Sequence, residues 1–136
     1  MLRGLVHHVD LTVRDPEVSR PFYEAVLGFM GYRIGHHDAR GYDFDLDPPG
    51  GGISIGVKRA KEGATRKHDR YSPGLHHLAW YASSPDDVDR LHALLQKIGA
   101  TILDPPAAYP QYGAGYYAVF FADPDGLKLE YVHKPI

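Results

Sequence analysis

One short pattern occurs twice in this chain. Leu5-Val6-His7-His8-Val9-Asp10-Leu11 returns as Gly74-Leu75-His76-His77-Leu78-Ala79-Trp80. Each copy opens an apolar strand on a His pair, passes a Pro-containing helix start, and closes the helix at a glycine (Leu27-Gly28, Ile98-Gly99). The copies are 69 residues apart at the His pair and 71 apart at the closing glycine, which implies a small insertion in the second. A duplicated supersecondary unit constrains the architecture more than any local propensity does. It also puts two histidines at equivalent places, as a shared metal site needs. At 136 residues the chain suits one domain with a real core.

Several function classes are disfavoured at once. There is no cysteine, so disulfides, thiolate ligands and a cysteine nucleophile are excluded. A net charge of −2 suits neither a nucleic-acid partner nor an anionic membrane. No apolar run approaches the roughly 18 residues of a membrane span. Met1-Leu2-Arg3-Gly4 leads straight into a strand pattern without the apolar core of a secretion signal, so a cytoplasmic protein is expected. Ten Tyr, nine His and fifteen Gly suit a site lined with rings and reached by loops.

Residues 4–13 alternate, with Leu5, His7, Val9, Leu11 and Val13 on one face and Val6, His8, Asp10 and Thr12 on the other. Asp15-Pro16-Glu17 reads as a turn and Ser19 as an N-cap, with Pro21 in the first turn and Gly28 as the C-terminal stop. Phe22, Val26 and Phe29 would form the buried stripe. Strands near 30–35, 40–46 and 52–58 follow, separated by His36-His37-Asp38 and by Asp47-Pro48-Pro49-Gly50-Gly51. The first module therefore reads βαβββ over about 4–58, and a basic linker covers about 59–73. The linker reads as a solvated connector or as an attractor of anionic substrate.

The second module, about 74–136, repeats the plan. A strand covers 75–82; Ser84 caps a helix with Pro85 first, and Leu91, Leu94, Leu95 and Ile98 line it before Gly99. A short strand at 100–103 precedes a Pro/Tyr/Gly loop from Asp104 to Gly115. Strands near 116–121 and 127–133 flank the turn Asp123-Pro124-Asp125-Gly126.

In Leu127-Lys128-Leu129-Glu130-Tyr131, alternation puts Leu127, Leu129 and Tyr131 on the apolar face and Glu130 on the other. His8, His77 and Glu130 then all fall on polar strand faces. Two imidazoles and a carboxylate form a facial triad with open positions, suited to a divalent Fe, Mn, Ni or Zn ion. Asp10, two residues beyond His8 on the same face, reads either as a general base beside the metal or as a structural carboxylate paired with a cation or an imidazole. Tyr109, Tyr112 and Tyr117, in or beside the Gly-rich loop, read either as a lid binding substrate or as ordinary packing. His36, His37, His68, His92 and His133 read as surface residues. Gly50-Gly51-Gly52 lacks the helix and Lys of a phosphate loop.

The chain also resembles a known family. His8-Val9-Asp10-Leu11-Thr12-Val13, Ser19-Arg20-Pro21-Phe22-Tyr23 with Leu27-Gly28, Leu75-His76-His77-Leu78-Ala79, and Phe121 to Glu130 are similar to the vicinal oxygen chelate superfamily. That superfamily includes glyoxalase I, fosfomycin-resistance transferases, bleomycin-resistance proteins and extradiol dioxygenases. The resemblance implies an α+β fold of two βαβββ modules in a cupped, barrel-like mixed sheet, often completed across a homodimer at this length. It implies a metal held by His8, His77 and Glu130, with Glu130 also serving catalysis on a small-molecule substrate with adjacent oxygens; Asp10 joins the catalytic candidates only by its position beside His8. Where glyoxalase I has a further glutamate, the first module presents Gly56, and Ser54 is a poor ligand. The three-ligand pattern is closer to the transferases and dioxygenases, although no phosphonate pocket is legible and the dioxygenase branch commonly has four modules. Lyase, isomerase or dioxygenase chemistry is thus implied. The alternatives are a bleomycin-resistance-type binding protein without catalysis and a metabolite-binding relative with a regulatory role.

Overall fold

A computed structural model describes residues 3–48 and 52–135 of the chain. Met1 and Leu2 of the amino-terminal reading, and Pro49, Gly50 and Gly51 of the expected turn, lie outside the described residues. The chain divides into two compact units, Met1–Arg66 and Lys67–Ile136, parted inside the expected linker. Each unit is a βαβββ module.

The first module runs β1 (His8–Val13), α1 (Pro16–Phe29), β2 (Arg33–Asp38), β3 (Gly41–Leu46) and β4 (Ile53–Arg59). The second runs β5 (Leu78–Tyr81), α2 (Pro85–Lys97), β6 (Thr101–Ala108), β7 (Tyr117–Ala122) and β8 (Lys128–His133). The sheets have the same order, β1-β4-β3-β2 and β5-β8-β7-β6. In each, the first strand pairs in parallel with the last and the other pairings are antiparallel.

The expected alternation holds in β1, where Leu11 and Val13 are buried and His8, Asp10 and Thr12 are exposed. Ile55 and Val57 continue that buried row on β4, and Phe22, Val26 and Leu27 of α1 supply buried apolar side chains to the same module. In the second module Leu129 and Tyr131 of β8 and Val119 and Phe121 of β7 are buried with Val88, Leu91 and Leu95 of α2. Full burial of a leucine such as Leu91 or Leu95 stabilises by about 1.5–3 kcal/mol relative to exposure.

Both helices stop the same way, at a glycine of positive φ (Gly31 +97°, Gly99 +72°). After α1, Tyr32 N–H donates to Leu27 O at 2.9 Å and Gly31 N–H to Gly28 O at 3.0 Å. After α2, Ala100 N–H donates to Leu95 O at 2.9 Å and Gly99 N–H to Gln96 O at 3.2 Å. This is the Schellman arrangement.

The α1 boundaries expected from sequence need correction. Asp15 is the N-cap, accepting from Glu17 N–H at 3.0 Å, and Pro16 takes the first turn. Ser19 is buried inside the helix, its hydroxyl 2.8 Å from the Tyr42 hydroxyl, and Pro21 lies in the helix body. Gly28 is helical, and Gly31 is the true stop. The glycines that match are therefore Gly31 and Gly99, 68 residues apart, so the interval shrinks by one and the inferred insertion in this part of the second copy disappears. Two strands also extend further than expected. His36, His37 and Asp38 belong to β2, and β6 continues through Asp104 to Ala108 by way of two register shifts.

Candidate functional site

The turn Asp123-Pro124-Asp125-Gly126 fixes the register of β8 against β7. Asp123 Oδ1 accepts from Leu127 N–H at 2.8 Å and Asp125 N–H at 2.9 Å, and Gly126 takes a φ of +85°. With Phe121 opposite Leu129, Phe120 stands opposite Glu130. On the other side of β8, Ala79 of β5 is the partner of Glu130. Alternation then puts His77, Ala79, Glu130 and Phe120 on the sheet face away from α2.

Glu130 is only 2% exposed. A buried carboxylate is stable only when its oxygens are bonded. Oε1 lies 3.0 Å from Nε2 of His77, and Oε2 accepts a short hydrogen bond from the Tyr116 hydroxyl. The small Ala79 side chain leaves the adjacent ladder position open. Nδ1 of His77 lies 2.7 Å from Nδ1 of His76.

Aromatic rings and Lys128 lie near this pair. Phe120 stands edge-on to His77 at 6.3 Å, and Tyr109 and Tyr112 stack at 5.6 Å. Tyr116 meets both tyrosines edge-on. Ala118, Phe120 and Val132 form an apolar cluster against which Tyr109 and Tyr116 pack. Lys128 Nζ stands 4.7 Å from the Phe120 ring centroid.

The electrostatics follow from burial. Desolvation, then the hydrogen bond to Glu130, pushes the Tyr116 phenol well above the ordinary tyrosine range, so it donates at neutral pH. Tyr109 is raised first by burial and then by Asp104, Tyr112 and Glu130. His76 is lowered by desolvation, then by electrostatic interaction with His77, Lys128 and Arg70.

In the first module His8 is exposed and repeats the histidine geometry, its Nδ1 lying 2.9 Å from Nδ1 of His7. Asp10 stands across from Gly56 on the same face. Among the described residues no hydrogen bond or ion pair is recorded for its carboxylate. The nearby cation, Lys58, is taken by Asp43 at 2.8 Å.

Of the expected trio, His77 and Glu130 meet within the second module, whereas His8 belongs to the first. Among the described residues no three His, Asp or Glu side chains gather into a ready metal cluster. The aromatic assignment changes in part. Tyr109 and Tyr112 lie in the ring group near Glu130, but Tyr117 donates to Asp89 of α2 at 2.7 Å, on the opposite face. The Tyr109–Tyr116 segment is also shaped by packing. A Cβ at Gly113 would stand 3.0 Å from Lys134 Cε, and one at Gly115 would lie 2.7 Å from Pro135. His36 and His37 are exposed, as expected.

Sequence reasoning missed Tyr116. The signal was present: alternation in β7 places Tyr116 with Ala118 and Phe120, and the hairpin turn aligns Phe120 with Glu130.

Two βαβββ modules of identical strand order, with an imidazole–carboxylate pair on the sheet face of the second that lies away from α2, define a paired-module α+β protein. Residues 5–131 match the model of the Glyoxalase/Bleomycin resistance protein/Dioxygenase superfamily, and the chain belongs to that family. The uncharacterized protein YqjT of Bacillus subtilis is 33% identical over 128 residues, covering 93% of this chain and 97% of YqjT. The crystal structure of a glyoxalase/bleomycin resistance protein/dioxygenase-class domain from Frankia sp. EAN1pec superposes with a TM-score of 0.76 at 28% identity, covering 99% of this chain and 94% of that one. A glyoxalase/bleomycin resistance protein from Albidiferax ferrireducens gives a TM-score of 0.75 at 28% identity, covering 96% and 100% of the two chains.

Proposed function

We propose that the protein is a metal-dependent enzyme in which His8, His77 and Glu130 hold a divalent ion that takes up adjacent oxygens of a small substrate. The His77–Glu130 pair carries this reading, because a carboxylate sealed from water beside an imidazole has the donor chemistry such an ion needs. When bound, the ion supplies Lewis acidity toward neighbouring substrate oxygens.

The chain's own residues do the rest. Tyr116 fixes one oxygen of Glu130 and thereby orients the other toward the His77 side. Asp10 offers an exposed carboxylate able to accept a substrate proton. Phe120, Tyr109 and Tyr112 offer apolar area to a planar or apolar substrate body. The reaction class is lyase, isomerase or dioxygenase, and the active form is a homodimer, to be measured by light scattering. Metal content decides the reading. Protein purified without chelator is expected to carry about one transition metal per chain, and His77→Ala and Glu130→Ala are expected to lose it.

The ring group around Tyr109 favours one further reading, a small-molecule binding protein of the bleomycin-resistance type. It takes over if wild-type protein holds no stoichiometric metal even after reconstitution.

A further inference from the structure

Two cations of the second module stand near the ring group without a counter-ion. Lys128 comes two residues before Glu130 on β8 and, by alternation, shares its sheet face. The two do not pair. Glu130 gives its oxygens to His77 and Tyr116, while Lys128 Nζ lies over the Phe120 ring. Asp104, opposite Phe120 on β6, is exposed. Arg70 lies over Tyr71, its Cζ 4.9 Å from the ring centroid, and donates to the Tyr71 hydroxyl at 3.1 Å. Its Nε has no hydrogen-bond partner. Among the described residues neither Lys128 nor Arg70 pairs with a carboxylate.

Ring contacts connect these cations. Phe120 meets His77 edge-on, His77 meets His76 at 5.0 Å, and His76 meets Tyr71 at 5.6 Å. Tyr109 in turn stands edge-on to Phe120 at 5.5 Å. The Phe120 ring therefore touches both the ammonium of Lys128 and the tyrosine group. A flat ligand seated on these rings ends beside Nζ.

The rings select for flatness, since burial of apolar area takes no account of charge. Charge selection has to come from a polar group. An ammonium held over a ring is only partly compensated by the ring's quadrupole, and it keeps its capacity to bond an acceptor. The acid that stands nearest along the strand is already committed to Tyr116 and His77. An anion brought by a ligand meets an ammonium with no competing partner, whereas a neutral ligand forgoes that bond.

We propose that Lys128 is a specificity-determining residue of this site and that its ligands are planar anions, an aromatic or conjugated ring bearing a carboxylate, with Arg70 reinforcing the positive field. This rests on the reading of the ring group as the substrate's seat and does not require the metal.

The test is calorimetric titration of the full-length protein with naphthoate and with its uncharged counterpart naphthamide. Each titration is run with and without EDTA, so that a bond from carboxylate to metal is told apart from an ion pair. Wild type is expected to prefer naphthoate by at least about fivefold in both conditions, the upper range for a partly exposed ion pair. The preference is expected to shrink as salt is raised. Lys128→Gln is expected to bring the two ligands to equal affinity, Lys128→Glu to reverse their order, and Lys128→Arg to keep it. Arg70→Gln is expected to reduce the preference in part. Lys97→Gln removes the same charge from the last turn of α2 and is expected to change nothing. Thermal melting checks that each variant is folded. If folded Lys128→Gln keeps the wild-type preference, or if the preference vanishes with EDTA, Lys128 does not select the ligand. If wild type binds both ligands alike, the ring group remains the substrate's seat and this proposal fails. If neither ligand binds, both readings fail.

Discussion

Glu130 and Asp87 are both buried carboxylates, and their partners give them different tasks. Glu130 shares its oxygens between Tyr116 and an imidazole that can turn to a ligand, whereas Asp87 is tied into the scaffold. Asp87 Oδ2 accepts from the Tyr131 hydroxyl at 2.6 Å, Ser83 N–H at 2.9 Å and the Ser83 hydroxyl at 3.0 Å. Desolvation raises the Asp87 pKa, but these bonds and Arg90 outweigh it, and the net shift is downward. A carboxylate whose folded pKa lies below its unfolded value of roughly 3.9 stabilises the fold above that value. The contribution is lost as pH falls through the folded pKa. Tyr131→Phe is therefore expected to cost about 1–3 kcal/mol at pH 7 and progressively less as pH falls below the unfolded value toward the folded one, read by urea unfolding across that range. Tyr116→Phe addresses the site instead. Metal affinity is expected to fall about 10–100-fold with little change in apoprotein melting, measured by competition with a chromophoric chelator. An unchanged affinity would show that Tyr116 does not orient Glu130.

Helix ends are the elements most easily misread here. A Ser before a Pro resembles an N-cap in both modules, yet Ser84 caps α2, with Asp87 N–H donating to its Oγ at 3.0 Å, while Ser19 sits buried within α1. Three glycines compete as stops, and only those at positive φ act as such. Gly99→Ala, forced into the left-handed region, is expected to destabilise by about 1–2 kcal/mol. Gly28→Ala is expected to stabilise by about 0.5–1 kcal/mol, because Gly28 is helical with nothing within 4 Å of its would-be Cβ. Thermal unfolding of the two variants separates the assignments, and a destabilising Gly28→Ala would favour the earlier stop. A swap of Ser84 to Ala, removing the cap of α2, is expected to cost about 1 kcal/mol.

For the whole molecule, the decisive measurement is the dependence of stability on metal. A ligand that binds only the folded chain stabilises by about 2.7 kcal/mol at a hundredfold excess over its dissociation constant. Chelation is expected to lower the melting temperature of wild type, readdition to restore it, and Glu130→Ala to respond to neither. Much of this architecture was readable beforehand. The repeat, the α+β class and the polar faces of β1 and β8 follow from period and position, because burial on one face of a sheet writes an alternation into the residues. The α1 boundaries, the extended β6 and the hydrogen bond from Tyr116 to Glu130 were settled only by the tertiary structure, although the strand face of Tyr116 was legible. They depend on which carbonyl a glycine can reach, on bulges that shift register, and on a hairpin that brings a tyrosine to an acid fourteen residues away. The pairing of Asp10 with Gly56 and of Ala79 with Glu130 is of the same kind. Both carboxylates are plain in the linear order, but only strand pairing shows which residue stands opposite each, because a carboxylate's position depends on the neighbour that leaves it room.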